Sequence, residues 1–148
     1  MSQTVRMLLR VRFAECDAQN VVFNGRYAEY VDVAITEYFR DVFGGYERWL
    51  AEELDMQIVR LALDFKSSAR FDEVLQIDVT NKHVGNTSFS FQVDITEYGT
   101  DRLIAQAEAI YVMVSLHKLE KTPIPDWVRQ LFGRGGSGRI LNYAGIDL

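Results

Sequence analysis

Between position 27 and the Gly44-Gly45 pair, apolar side chains return at helical spacing: Tyr27, Tyr30, Val31, Ala34, Ile35, Tyr38 and Val42. The polar residues of the stretch, Arg26, Glu29, Asp32, Thr36, Glu37 and Arg40, are a minority. A helix of this composition is buried on most sides and keeps one narrow face for water or a partner. Asn24 is a suitable N-cap, and the glycine pair stops the helix. Such a helix needs a broad apolar surface to lie against.

The rest of the chain offers that surface as strands. In residues 5–13 the odd positions Val5, Met7, Leu9, Val11 and Phe13 are apolar and arginines fall between them, a period of two that predicts a strand. Residues 46–54 predict a short amphipathic helix with Trp49 and Leu50 turned inward. Val59, Leu61, Leu63 and Phe65 mark a second strand, residues 65–73 a turn region, and Leu75, Ile77 and Val79 a third strand. Phe89, Phe91, Val93 and Ile95 mark a fourth, after a turn at residues 83–86. A fifth, residues 103–116, has Ala105, Ala107 and Ala109 on one face, which leaves room for the helix to approach. Hairpin-length connections join the last four strands, so an antiparallel α+β domain is expected.

One helix covers only one face of a five-stranded sheet. Ile110, Val112 and Val114 would form an apolar patch on the other, and a homo-oligomer is expected on that ground. Pro123 and Pro125 end the strands, residues 126–132 predict a helical turn, and residues 133–138 have linker composition. The division expected is one domain over residues 1–132, then a Gly-rich linker and tail over 133–148, with a neighbouring subunit holding the tail.

The 148 residues suffice for one domain core. A net charge of -5 with scattered basic residues argues against a nucleic-acid surface. Cys16 is the only cysteine, which excludes an intramolecular disulfide and a Cys-based metal framework. Two histidines, His83 and His117, are too few and too far apart for a metal site or a Cys–His pair, so none is expected. Arginines interrupt the apolar N-terminal run and no stretch has the apolar length of a membrane span, so a cytoplasmic protein is expected.

The candidate chemistry lies between the first strand and the helix. Asp17 falls in that loop, toward which the unpartnered first-turn N–H groups of the helix point, and a polarised carbonyl can bind there. An aspartate near a helix start also serves simply to close a loop. Three stretches then carry a family likeness: DAQNVVFNGRY at 17–27, FKSSARFDEVL at 65–75 and GNTSF at 85–89. In this order they resemble the 4-hydroxybenzoyl-CoA thioesterase family of hot-dog folds, including the acyl-CoA thioesterases associated with the Tol–Pal envelope system. Asn20 stands where the family usually has glycine, and Asn24 where many relatives have histidine or an aromatic residue.

The resemblance implies a hot-dog fold, a five-stranded antiparallel sheet wrapped around one long helix, with subunits paired edge to edge and dimers stacked into tetramers. It implies an acyl-CoA thioesterase in which Asp17 acts on the thioester carbonyl as nucleophile or as base for water, and the active site lies between subunits. The Asn24 N–H, at the helix start, is the expected oxyanion donor. Tyr27 is a candidate substrate contact whose position also suits packing, and Asp32, a second candidate contact, is expected to line the acyl pocket, pair across the dimer or face water. From the position of the family's nucleotide-contacting turn, Lys82, Asn86, Thr87 and Ser88 are the expected coenzyme A contacts, with Lys66 and Arg70 next. Coenzyme A is part of the substrate, so no cofactor is expected. Alternatives are a non-catalytic acyl-CoA or acyl-carrier-protein binding module, a hot-dog hydratase or dehydratase, and a cystatin-like isomerase.

Overall fold

The structure, a computed structural model, describes residues 4–148. Strand β1 (Val5–Arg10) is followed by a 3-10 turn at Phe13–Glu15, the long helix α1 (Arg26–Phe43) and the short helix α2 (Glu47–Ala51). Strands β2 (Leu54–Phe65), β3 (Val74–Val84), β4 (Ser88–Glu97) and β5 (Leu103–Ser115) come next, then α3 (Asp126–Arg134) and β6 (Ile140–Tyr143). They form one sheet in the order β2-β5-β4-β3-β1-β6, antiparallel except where β6 runs parallel to β1.

The period-two positions of β3, β4 and β5 are buried as expected, whereas Val59, Leu61 and Phe65 of β2, on the edge of the sheet, are exposed. Leu75, Ile77 and Val79 on β3, Phe89, Phe91, Val93 and Ile95 on β4, and Ala105, Ala107 and Ala109 on β5 are all buried. The alanines share one buried cluster with Tyr30, Ala34, Tyr38 and Phe39 of α1, but the helix backbone runs nearest β3 and β1 and not β5. At its C-terminal end α1 enters an aromatic cluster in which the Phe39 ring lies 5.1 Å from Phe43, 5.4 Å from Trp49 and 6.0 Å from Phe91. Gly44 takes the left-handed conformation (φ 75) and its N–H returns to the carbonyls of Arg40 and Phe39, closing the helix.

Several expectations are corrected. The sheet has six strands, not five. The tail supplies the sixth by pairing with the chain's own first strand, and no neighbouring subunit is involved in that pairing. Asp41 on α1 accepts the Ser137 N–H and hydroxyl, each at 2.7 Å, and the Tyr143 hydroxyl donates to Glu37 at 3.0 Å. A Cβ at Gly136 would stand 2.5 Å from a Val5 methyl, so the tail fits here only because that residue is glycine. The first strand stops at Arg10, and Phe13 is 74% exposed because the chain turns there. Leu50 is half exposed, although Trp49 is buried. Val114, whose backbone is bridged to Lys121, is buried, so it adds nothing to an exposed patch. Gly25, not Asn24, is the N-cap residue, and no side chain among the described residues caps the helix. Among the described residues no helix is long and apolar enough to cross a membrane.

Candidate active site

The loop between β1 and α1 is anchored by a carboxylate that the sequence did not single out. Glu15 is 4% exposed. It accepts the Arg12 Nε and Nη2 at 3.0 and 2.6 Å, the Arg12 backbone N–H at 2.8 Å and the Tyr30 hydroxyl at 2.9 Å. Burial works against its charge, but the hydrogen bonds from Arg12 and Tyr30 together outweigh it and hold the carboxyl below its ordinary range. The Arg12-x-x-Glu15 spacing was the available signal, because Glu15 reaches back to the Arg12 N–H as in a capping box. The Glu15 carbonyl also accepts the Phe23 N–H at 2.9 Å, which ties the far end of the loop to the same residue.

Between these anchors the chain makes a tight turn. Cys16 bridges to Val22, the Asp17 N–H donates to the Val21 carbonyl at 2.9 Å, and the Asn20 N–H donates to the Asp17 carbonyl at 3.0 Å. Asn20 has φ 62, the left-handed conformation that asparagine tolerates better than most residues, so the loop keeps its turn without the usual glycine. Asp17 Oδ1 accepts the Gln19 N–H at 2.8 Å. Its Oδ2 has no hydrogen bond among the described residues. One oxygen therefore closes the turn while the other is open to a ligand.

Asp17 and Asn24 line one cavity of about 470 Å³, together with Tyr27, Phe65, Lys66 and the Ser67-Ser68 pair. The backbone N–H groups of Asn24 and Gly25 donate to no group among the described residues. They stand at the start of an 18-residue helix whose dipole favours negative charge at that end. The site thus brings an exposed carboxylate, Asn24 with its open amide and a partly apolar wall to one place. That combination can polarise a carbonyl and attack it.

Tyr27 lines the cavity and is also packed. It is 3% exposed, edge-on to Phe65 at 5.4 Å, and its hydroxyl accepts the Ala69 N–H at 3.2 Å. Burial pushes its hydroxyl pKa up. Lys66 lies on the cavity wall, whereas Arg70 is exposed outside it, bridged to Val21. Asp32 is exposed on α1 and does not line the cavity. Its charge bears on Tyr111, whose hydroxyl is pushed up to about 12, first by burial and then by Asp32.

Within one chain Lys82, Asn86, Thr87 and Ser88 are separated from Asp17. The cavity lies at the sheet end where Phe65 pairs with Ala105, and the β3–β4 hairpin at the end where Ser88 and Gln57 pair with Val112. Seven residues of β5 separate those rows, roughly 23 Å at strand rise. The Cys16 thiol is raised by burial and then by the charges of Glu15 and Asp17, so it is a poor nucleophile. His83 is exposed on β3, and His117 stands 3.7 Å from Glu53, away from the cavity. Arg102 was also missed by sequence reasoning. It holds the Ser67-Ser68 wall from behind, through partners 34 and 35 positions away.

The fold has counterparts in known proteins. The family model described as "Thioesterase-like superfamily" matches residues 11–132. The acyl-CoA thioester hydrolase YbgC of Escherichia coli is 25% identical over 120 residues, 81% of this chain and 89% of that protein. A thioesterase-superfamily structure from Jannaschia sp. CCS1 superposes with a TM-score of 0.82 at 22% identity, covering 90% of this chain and 93% of that one. A 1,4-dihydroxy-2-naphthoyl-CoA thioesterase from Synechocystis gives a TM-score of 0.80 at 17% identity, covering 88% and 96%. At those identities the two structures speak for the fold alone, a sheet wrapped around one long helix in the hot-dog manner. The match of the family model spans the cavity loop, α1 and strands β2 to β5, and the chain belongs to the thioesterase-like superfamily.

Proposed function

We propose that this chain is an acyl-CoA thioesterase that hydrolyses a coenzyme A thioester to the free acid and the thiol. The observation that carries this reading is the meeting, in one cavity, of the open oxygen of Asp17 and the unpartnered N–H of Asn24 at the head of α1. The carboxylate attacks the thioester carbonyl, or takes a proton from the water that does. The carbonyl oxygen gains negative charge as the C–O bond forms, and the Asn24 N–H and the helix dipole stabilise it. Collapse of the adduct breaks the C–S bond and expels coenzyme A as a thiolate, which takes the proton given up by the attacking water; where Asp17 itself attacked, that water then hydrolyses the mixed anhydride, frees the acid and restores the carboxylate.

The active assembly in this reading is a homodimer joined along β2, with dimers stacked as tetramers, in the cytoplasm. β2 is the edge of the sheet, and Ile58, Val59 and Leu61 are exposed on it. An open apolar edge strand is a template for pairing. Antiparallel pairing about the middle of β2 sets the partner's hairpin end beside this chain's Phe65 end. Lys82, Asn86, Thr87 and Ser88 then serve the partner's cavity, next to its Lys66. Coenzyme A enters as substrate, and the chemistry uses no cofactor.

The test is thiol release by the full chain from a panel of coenzyme A esters with short aliphatic, long aliphatic and aromatic acyl groups. Turnover of one class supports the reading and narrows the substrate. If no ester is hydrolysed while acyl-CoA still binds, the non-catalytic binding module takes its place.

A further inference from the structure

We propose that Arg102 is a positioning residue for the cavity, holding the Ser67-Ser68 wall in register with the Asp17 loop and so setting the grip on the acyl group. This rests on the thioesterase reading of the same cavity. The guanidinium does not line the cavity, so it acts through the residues that do. Its Nη1 donates to Ser67 Oγ at 2.8 Å and to the Ser68 carbonyl at 2.9 Å. Its Nη2 reaches both oxygens of Glu73 at 3.1 Å, and its Nε lies 3.4 Å from Glu97 Oε1. One planar fork thus joins three separate segments, which a lysine, a point charge on a flexible stem, cannot do.

The contacts continue from that wall to the catalytic loop. Glu73 Oε1 accepts the Arg70 N–H at 2.6 Å. Ala69 donates its N–H to the Tyr27 hydroxyl, and its carbonyl accepts the Val22 N–H at 2.8 Å. Val21 bridges to Arg70, and Val21 and Val22 close the turn that carries Asp17. Lys66 and Ser67 are also bonded through their own N–H groups to the Ile104 carbonyl. The Ser68 carbonyl has Arg102 as its one hydrogen-bond donor among the described residues. Removing the fork frees the wall at Ser68 first, while Glu15 still anchors the Asp17 side of the cavity.

The experiment compares wild type, Arg102→Lys and Arg102→Ala as full chains on the ester that wild type hydrolyses best and on its nearest shorter and longer homologues. For Arg102→Ala we expect KM to rise about tenfold or more with kcat within about threefold, and Arg102→Lys to fall between. The kcat/KM ratio between shorter and longer acyl groups should move at least about fivefold. A lowered Tm with KM and that ratio unchanged would make Arg102 merely structural and overturn the proposal. Glu73→Gln, which weakens the fork's anchor without removing it, is expected to shift KM in the same direction and serves if Arg102→Ala does not fold. Amide hydrogen exchange separates this proposal from the thioesterase reading, because it needs no turnover. Even if wild type hydrolyses nothing, Val22, Ala69 and Arg70 in the variant should exchange about tenfold faster while Ile77 and Val93 stay at the wild-type rate. Unchanged exchange at those three amides overturns it.

Discussion

The two ends of helix α1 are built on opposite plans. At the C-terminal end the carbonyls are closed by the Gly44 N–H, and Phe39 and Phe43 sit in a cluster with Trp49, Phe89, Phe91 and Phe132. At the N-terminal end, among the described residues, no side chain caps the helix and the Asn24 and Gly25 N–H groups are open, while the neighbouring side chains are joined by hydrogen bonds to Glu15, Tyr27 and Arg102. The difference separates stability from chemistry. Dense aromatic packing at one end lets the other keep an unfilled cavity and unused donors, which a substrate with developing negative charge can engage.

The largest effect expected from breaking this contrast is at the packed end. Phe39→Ala should cost about 4 kcal/mol in urea unfolding, the range for a buried phenylalanine, while kcat at low temperature stays within about threefold. At the open end, Asn24→Pro removes the amide proton, and kcat should fall about 10²-fold, equivalent to about 3 kcal/mol of transition-state stabilisation. Asn24→Ala keeps that N–H and should stay within about threefold of wild type. A large loss in the alanine variant would assign the role to the side chain.

Glu15→Gln should destabilise by about 2 kcal/mol at neutral pH, the scale of hydrogen bonds to a charged group. The Glu15 carboxyl titrates below its ordinary 4.5, so its contribution is fully present above about pH 4.5 and is lost as pH falls through the lower folded value. The variant should therefore show a flatter acid limb in a plot of stability against pH, and an unchanged limb would remove Glu15 from the account.

The smallest and most diagnostic pair is one substitution made at both ends. Tyr27→Phe removes the acceptor for the Ala69 N–H and should cost about 1 kcal/mol. Tyr38→Phe removes a buried hydroxyl that has no hydrogen-bond partner among the described residues and should stabilise by about 1 kcal/mol. Equal signs in thermal unfolding would contradict the division drawn between the two ends.

What could be read in advance follows the same division. Strands β3 and β4 and the buried face of α1 repeat at fixed periods, so Leu75, Ile77, Phe91 and Ala34 announced their burial. The turn at Asp17 was legible because its residues are consecutive. Arg102 was not, since its partners at Ser67 and Glu73 lie 35 and 29 positions away and no local pattern links them. Strand β6 escaped for a related reason. It has only four residues, with no periodicity of its own, and it exists because the edge of β1 and the carboxylates of Glu37 and Asp41 receive it. Glu15 stood in plain view, but its burial depends on Tyr30 arriving from the helix.

The most direct measurement is kcat for Asp17→Asn on the best ester, made alongside its Tm and the affinity for a non-hydrolysable acyl-CoA thioether. The account predicts a fall of about 10³-fold in kcat with the Tm and the thioether affinity unchanged. A variant that keeps kcat within about tenfold of wild type, folded and binding, would place the reacting carboxylate elsewhere and contradict it.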